Sequence, residues 1–235
     1  MPPVSRRATA TTDIRDRPAY PVAEAARYVK VPAATLRSWV VGREYETTSG
    51  TRHFPALVTP ASREPLALSF YNLVEAHVLR ALRTTHSVSI PKVRTAIRVA
   101  EQELGLARLL LRKELCTSAR QLFLDTYGQL IELSPSGQLA MREMLQAYLS
   151  RIEWDRHKFP VRLYPFITRE HSSADQPIVI DPAIGFGRPI IQKRAIATAT
   201  IAQRIDAGET VAELAEDYDL TAADIEQAVL YERAA

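Results

Sequence analysis

The spacing of apolar residues near the N-terminus predicts two short helices separated by a turn. Val22, Ala25, Ala26 and Val29 fall at positions i, i+3, i+4 and i+7, the apolar stripe of one helix. Pro32 disfavours helical geometry at the residue before it, so the chain should turn there and begin a second helix at Pro32 or the next residue. The inward residues of that helix would be Leu36, Trp39 and Val40. This pair predicts a helix-turn-helix whose second helix exposes Ala34, Thr35, Arg37, Ser38 and Val41.

The pattern that follows extends this unit to about residue 104. Segment 43–58 has polar and glycine turn residues between stretches rich in aromatic and β-branched side chains, which predicts a hairpin wing. Two amphipathic helices are predicted over 70–82 and 93–104. We therefore expect residues 19–104 to form a winged helix-turn-helix domain, preceded by a flexible basic arm over residues 1–18.

The middle of the chain, residues 105–171, gives mixed signals. In "QLFLDTYGQLIEL", Tyr127 and Gly128 stand between flanks rich in Leu, Phe and Ile, and the segment is interpreted as a hairpin that turns at these two residues. The segment "QLAMREMLQAYLSRI" has the apolar spacing of a helix. The expectation is an α+β support module that contributes to dimerisation.

The last part, residues 172–235, is predicted to be a β-hairpin followed by three helices. The runs "PIVID" and "RPIIQ" are short and β-branched, and "PAIGFG" connects them. Two of the helices open with capping boxes, Thr210 with Glu213 and Thr221 with Asp224. The whole chain is therefore expected to be mainly α with short β-hairpins, an α+β fold.

Composition adds a contrast of charge between the two ends of the chain. The 235 residues are 46% hydrophobic and 24% charged, as in an ordinary globular protein. Residues 1–171 hold 25 Lys and Arg against 16 Asp and Glu, whereas residues 172–235 hold 5 against 11. A polyanion would be attracted to the first part and repelled by the second. The single cysteine, Cys116, and the lack of a signal or membrane-spanning run favour a cytoplasmic protein with no membrane partner.

The two glycines of "GFGRPII", Gly185 and Gly187, raise the question of nucleotide binding. A P-loop needs Lys-Ser or Lys-Thr after its last glycine, and a dinucleotide fingerprint needs a third glycine that opens a helix. Neither is present in this segment. We interpret the glycines as residues that supply the backbone geometry of a turn, and no cofactor is predicted.

The first two predicted helices resemble the helix-turn-helix of MerR-like proteins. The matching residues are Tyr20, Val22, Glu24, Ala25, Ala26, Thr35, Leu36, Arg37 and Trp39. Lys30 stands where that family usually has a turn glycine, at a cost of about 1 kcal/mol if its backbone is left-handed. The resemblance implies a homodimer on double-stranded operator DNA, with Thr35 and Arg37 near the major groove and the Trp39 edge near a phosphate. The predicted DNA-binding residues are Thr35, Arg37, Ser38, Trp39, Arg43 and Arg52.

The C-terminal stretch, roughly residues 175–235, resembles a family of small antitoxin domains. The matching residues are Asp181, Pro182, Ile184, Gly187, Arg188, Pro189, Ile191, Thr198, Ala207, Gly208, Thr210, Glu213, Leu214, Ala215, Asp217, Tyr218, Leu220, Thr221, Ala228, Val229 and Tyr231. Together with the MerR-like head, the chain resembles a VapB-type antitoxin whose partner is a PIN-like ribonuclease toxin. The resemblance implies that the chain occludes the nuclease and binds the promoter of its own operon.

A hypothesis for the toxin contact follows from the chemistry of such nucleases. They hold divalent metal with a cluster of carboxylates, and the guanidinium fork of arginine can pair two carboxylate oxygens. The basic minority of this acidic domain forms the predicted toxin-binding set: Arg188, Lys193, Arg194 and Arg204. In an alternative that stays open, Arg188 merely pairs with Asp181 and holds the hairpin.

Other functions are less well supported by the residues. A stand-alone MerR-like transcription regulator, with a C-terminal half that senses a ligand or a protein, remains the alternative. An enzyme is disfavoured because no Ser-His-Asp, Cys-His or metal-helix motif is visible, so no catalytic residue is predicted. Glu153, Asp155 and His157 alternate and could hold a metal on a strand, but a solvated turn beside Arg156 and Lys158 is favoured, and no metal ligand is predicted.

Overall fold

The fold is mixed α and β, as the sequence predicts. In the computed structural model, the described part of the chain contains nine α-helices and four small antiparallel sheets. One hydrophobic core extends from Tyr20 to Ile180, and a second, smaller core fills the C-terminal part. The residues that the structure describes are 13–47, 50–84, 90–116, 118–130, 134–166 and 176–234.

Two short helices form the predicted helix-turn-helix. Helix α1 (Val22–Tyr28) ends just before Lys30, and α2 (Ala33–Val41) begins directly after Pro32. Proline fits there because its fixed φ suits the residue that precedes a helix and its missing N–H is not needed. The side chains expected to face α1 are buried, namely Leu36, Trp39 and Val40.

The predicted wing is present and is joined to α2 by a glycine. Strands β2 (Arg43–Thr47) and β3 (Gly50–Phe54) pair antiparallel, and the predicted turn residues 48–49 lie outside the described ranges. Gly42 ends α2 with φ +90°, and a Cβ there would lie 2.4 Å from the carbonyl oxygen of Phe54. Only glycine tolerates both the backbone conformation and this close approach.

A small sheet and two long helices complete the front of the molecule. Strand β5 (Leu66–Leu68) pairs with both β1 (Tyr20–Pro21) and β4 (Ser62–Arg63), and helix α3 (Phe70–Thr84) runs through the core. This core continues past the predicted domain boundary at residue 104 through Phe166 to Ile180, so the front and the middle parts pack around one interior. The second long helix is α4 (Ile90–Leu104).

The expectation of a flexible arm is wrong for its last six residues, and residues 1–12 lie outside the described ranges. A short 3-10 turn, Ile14–Asp16, lies against the rest of the molecule. The guanidinium of Arg15 contacts the Asp155 carboxylate at 2.7 Å. On the other side of the turn, Arg108 pairs with Asp16 at 3.1 Å. These charges hold the segment in place, which a low apolar content alone did not reveal.

The predicted hairpin at Tyr127 and Gly128 is also wrong. Helix α5 (Ser118–Leu130) runs through both residues. Gly128 is buried against the following helix, α6 (Pro135–Leu149), and a Cβ added to it would lie 3.3 Å from side-chain atoms of Gln138. The glycine lets two helices approach each other, whereas the sequence interpretation assigned it to a turn.

A hairpin leads from the middle of the chain towards the C-terminal part. Strands β6 (Ile152–Trp154) and β7 (Pro160–Leu163) pair antiparallel with a bulge after Glu153. Leu163 also pairs with Ile180, and two backbone hydrogen bonds of 2.8 and 3.0 Å join these residues. The C-terminal part is therefore connected to the main core through backbone pairing.

The predicted C-terminal hairpin and three helices are confirmed. Strand β9 (Ile190–Ile191) pairs with β8 (Ile178–Val179) and with a third strand, β10 (Ile196–Ala197), which the sequence interpretation missed. Both predicted capping boxes form, so each side chain satisfies an orphan backbone donor at a helix start. The three helices are α7 (Thr198–Asp206), α8 (Val211–Tyr218) and α9 (Ala222–Arg233).

Candidate functional sites

The turn of the helix-turn-helix is built on an unusual lysine. Lys30 has φ +55°, so it adopts the left-handed conformation in which the resemblance had placed a glycine. Its side chain is only 7% exposed and donates a hydrogen bond from Nζ to the carbonyl oxygen of Tyr231. Burial lowers the pKa of the ammonium from 10.5 to about 8. The contact of the ammonium with Tyr231 offsets the energetic cost of the left-handed backbone at Lys30.

Helix α9 reaches this turn through more than one contact. The hydroxyl of Tyr231 donates to the carbonyl oxygen of Tyr28 at 3.0 Å, and the Arg27 guanidinium lies 3.7 Å from the Glu232 carboxylate. The side chain of Tyr231 is buried. A backbone carbonyl at the end of α1 and the turn residue after it are thus both bonded to the C-terminal helix.

The exposed face of α2 carries most of the predicted DNA-binding residues. Arg37 is exposed, and Thr35 and Ser38 are half-buried. Ser38 donates from its hydroxyl to the Thr35 carbonyl at 2.7 Å, a local bond within the helix. Arg43 is exposed at the start of the wing; Arg52 lies on β3, and its side chain is outside the description.

Trp39 differs from the other predicted contacts. Its side chain is 1% exposed and belongs to the main core, so the structure presents no indole edge to a phosphate. Its carbonyl oxygen accepts hydrogen bonds from the amides of Leu57 and Val58, at 2.7 and 3.1 Å. The backbone of Trp39 therefore fixes the end of α2 to the segment that follows the wing.

The glycine loop lies against the front of the molecule. Tyr20 donates from its hydroxyl to the carbonyl oxygen of Gly187 at 3.0 Å. The Asp181 carboxylate is held by Arg162 at 2.8 Å and accepts a hydrogen bond from the Ala183 amide. The alternative in which Asp181 pairs with Arg188 is therefore wrong, because Asp181 is bonded to another arginine.

The four predicted toxin-binding residues are not equivalent. Lys193 pairs with the Asp224 carboxylate at 2.8 Å, Arg194 with Asp219, and Arg204 with Glu209 and Asp217. Burial opposes ionisation of Asp224, but hydrogen bonds from Lys193 and Thr221 keep its pKa below the usual range. Arg188 is exposed, and no ion pair within the described residues holds it.

An exposed aromatic side chain, which the sequence interpretation did not single out, lies beside Arg188. Phe186 is 93% exposed, and Ile184 is 39% exposed. The sequence signal for this position is a phenylalanine between two glycines in a predicted turn, where an apolar side chain gains no stabilisation from burial.

The alternating residues of the β6–β7 hairpin are engaged by arginines. Arg162 contacts the Glu153 carboxylate at 3.2 Å, and Arg15 contacts Asp155. The Asp155 carboxylate also accepts a hydrogen bond from the His157 amide at 2.8 Å. Within the described ranges no group of three or more His, Cys, Asp or Glu is placed to hold a metal ion.

Comparison with known proteins identifies two domains and a family. Residues 18–97 match a "Putative DNA-binding HTH domain", and residues 178–231 match a "Protein of unknown function (DUF433)". Over 228 residues the chain is 30% identical to the uncharacterized protein Rv2308 of Mycobacterium tuberculosis, covering 94% of this chain and 92% of that protein. The chain belongs to the family of Rv2308.

Two further similarities concern a named relative and a fold. The chain is 28% identical over 225 residues to the "Putative antitoxin VapB45" of Mycobacterium tuberculosis, with 88% of this chain and 90% of that protein covered. The crystal structure of Rv2018 from Mycobacterium tuberculosis has a TM-score of 0.64 and 21% identity, covering 90% of this chain and 97% of that one. The structural likeness supports the architecture described above.

The two matched domains meet at the contacts between α9 and the helix-turn-helix. Lys30 lies within the first matched range and Tyr231 is the last residue of the second. The helices in the described part of the chain include none with the length and apolar content needed to cross a membrane.

Proposed function

We propose that this chain is an antitoxin that neutralises a PIN-like ribonuclease and binds the promoter of its own operon as a homodimer in the cytoplasm. The observation that carries the proposal is similarity over about nine-tenths of both chains to a protein named as an antitoxin, combined with a match to a DNA-binding helix-turn-helix. In this proposal the chain acts by binding alone. It covers the nuclease and binds DNA, and it catalyses no reaction.

The DNA-binding part of the proposal is MerR-like. Thr35, Arg37 and Ser38 on α2 would enter the major groove, and Arg43 and Arg52 on the wing would contact phosphates. The net charge of +9 over residues 1–171 would favour approach to the duplex. Trp39 is left out of this set because it is buried.

The toxin-binding part uses the C-terminal domain. Arg188 would pair with a carboxylate of the nuclease, since its guanidinium is exposed and not engaged in an ion pair within the described residues. Lys193, Arg194 and Arg204 are already paired with carboxylates of the same domain, so their transfer to a partner would require exchange of those pairs. Arg188 is therefore the first of the four to test.

Toxin neutralisation is tested by co-expression with the product of the adjacent reading frame. If the two co-purify, RNase activity of the toxin should be inhibited by the wild-type chain and restored in part by Arg188→Glu. Arg142→Glu supplies the same change of charge on α6 and should inhibit like the wild type. Absence of any effect of the wild-type chain on the nuclease would refute the antitoxin proposal.

DNA binding is tested separately with the operon promoter. Arg37→Ala should weaken binding by about 10-fold or more and reduce its salt dependence, because a basic contact is lost. Arg142→Ala is the matched control and should bind like the wild type. An unchanged affinity and salt slope for Arg37→Ala would show that α2 does not read the DNA.

A stand-alone regulator that senses a ligand is the second candidate, and one feature favours it. A cleft of about 680 Å³ lies between the segment after the wing, α4 and the 3-10 turn at residues 109–111, and Arg94, Arg98 and Glu101 line it. Its size is that of a small-molecule site. Promoter binding without a neighbouring toxin gene, and altered by a small anion, would favour this function.

A further inference from the structure

The loop around the two glycines presents Phe186 at its tip. Gly185, Phe186 and Gly187 have φ values of +58°, +57° and +72°, so three consecutive residues are left-handed. Glycine adopts this conformation freely, but for phenylalanine it costs about 1–2 kcal/mol. A side chain that is 93% exposed recovers none of that cost by burial in this chain.

The base of the loop is fixed on several sides. The Arg188 amide donates to the Gly185 carbonyl at 3.1 Å, and the Gly187 amide to the Ile184 carbonyl at 3.0 Å. A Cβ on Gly187 would lie 2.1 Å from the Tyr20 hydroxyl oxygen, so this glycine is packed directly against the front of the molecule. The backbone under Phe186 is thereby preorganised, which reduces the entropy lost when it binds.

We infer that Phe186 is the apolar anchor by which this chain inserts into a pocket of the nuclease, with Arg188 pairing a carboxylate at the rim of that pocket. The inference rests on the proposed function and gives it a specific contact. Strained backbone positions concentrate at sites that clamp ligands, and buried aromatic anchors supply much of the energy of protein interfaces. An arginine beside an aromatic anchor is complementary to a partner surface with an apolar pocket and a carboxylate at its rim.

The net charge of the C-terminal part disfavours nucleic acid as the partner of this loop. Residues 172–235 carry a net charge of −6, which repels the phosphates of nucleic acid. A second copy is disfavoured at the cleft beside the turn of the helix-turn-helix, because Arg27, Lys30 and Arg233 line that cleft and would repel Arg188.

The test measures binding of the full-length chain to the nuclease encoded by the adjacent reading frame, by titration calorimetry. Phe186→Ala should weaken binding by at least about 30-fold, the loss typical of a central anchor. Phe186→Gly should bind as weakly, yet its thermal midpoint should equal or exceed that of the wild type, since glycine relieves the strain. Leu139→Ala removes another exposed apolar side chain, on α6, and should bind within about twofold of the wild type.

Three outcomes would overturn the inference. If the wild type binds the nuclease and both Phe186 variants bind within about twofold of it, the anchor is wrong while the antitoxin function stands. If the wild type itself neither binds nor inhibits the nuclease, the proposed function fails and the assigned partner with it. If Phe186→Ala converts a dimer of this chain into monomers in light scattering, the occupant is a second copy.

Discussion

The ammonium nitrogen of Lys30 lies 3.8 Å from the centre of the Tyr231 ring, a contact between residues 201 positions apart in the sequence. It joins the turn of the helix-turn-helix to the last helix of the chain. A buried cation over an aromatic face is worth about 2 kcal/mol, comparable with the strain of a left-handed lysine. The two matched domains are therefore in direct contact at the turn that precedes helix α2.

The pKa of Lys30 predicts a dependence of stability on alkaline pH. Because burial lowers the pKa from 10.5 to about 8, the unfolded chain binds more protons than the folded chain between these values. The free energy of unfolding should rise across pH 8 to 10.5 by at most about 3 kcal/mol from this group, and show no dependence on it below pH 8. Urea denaturation of wild type and Lys30→Met across this range measures the difference. If the free energies of unfolding of the two proteins change in parallel with pH, the lowered pKa of Lys30 is wrong.

A second prediction concerns the contact between Tyr20 and Gly187. Gly187→Ala introduces a methyl group 2.1 Å from the Tyr20 hydroxyl in a left-handed residue, and it should destabilise the fold by about 2–4 kcal/mol. Gly208→Ala is the matched control: its φ is +100° but no atom lies within 4 Å, so only about 1 kcal/mol is expected.

Tyr20→Phe is the second single variant of a double-mutant cycle with Gly187→Ala. Without the Tyr20 hydroxyl, the methyl group of Gly187→Ala clashes with fewer atoms. The double variant should therefore lose less stability than the sum of the losses in the two single variants. Chemical denaturation gives all four free energies. Strict additivity would show that the loop does not press against Tyr20.

Gly128 offers a test of the corrected middle region. Within helix α5, replacing this glycine by alanine should stabilise the protein by up to about 1 kcal/mol through helix propensity, provided that the Gln138 side chain shifts by a few tenths of an ångström. A hairpin turn at the same place would instead lose stability, because alanine resists positive φ. A higher denaturation midpoint for Gly128→Ala would exclude the turn, because alanine at a position of positive φ could only lower it.

The contrast between these residues shows what sequence patterns could predict. The helix-turn-helix and the capping boxes depend on residues within a few positions of each other, and both were predicted correctly. Gly128 was misassigned because its role depends on a helix packed against it. The exposure of Phe186 depends likewise on how its loop docks on Tyr20, a partner 167 positions away from Gly187.

Acid should destabilise the core through His77. Burial, with the nearby charges of Arg80 and Arg151, lowers its pKa from 6.5 to about 3, and its ring nitrogen hydrogen-bonds the Tyr148 carbonyl at 3.1 Å. The unfolded chain takes up a proton near pH 6.5 and the folded chain does not, so stability should fall as the pH drops from 6.5 towards 3. The loss from this group reaches about 3 kcal/mol at pH 4.

The control for this prediction is a surface histidine. His77→Gln keeps a donor for the carbonyl and should have a shallower loss of stability between pH 6.5 and 4, whereas His157→Gln, at an exposed position, should follow the wild type. Thermal melts at several pH values suffice. An equal acid slope in wild type and His77→Gln would mean that His77 is protonated in the fold.

The contact between the two domains leads to a prediction about DNA binding that concerns Tyr231, a residue outside the proposed DNA-binding set. Tyr231→Phe keeps the ring under Lys30 but leaves the buried Tyr28 carbonyl without its hydroxyl donor. Because that carbonyl belongs to the end of α1, the position of α2 should become less well defined, and promoter affinity should fall by about three- to tenfold, a coupling of roughly 1 kcal/mol.

Tyr164→Phe removes a hydroxyl that donates to Glu153 at the surface and should leave DNA binding unchanged. Fluorescence anisotropy with the operon promoter measures both. If Tyr231→Phe binds like the wild type while Arg37→Ala does not, the C-terminal helix supports the fold without influencing the reading helix.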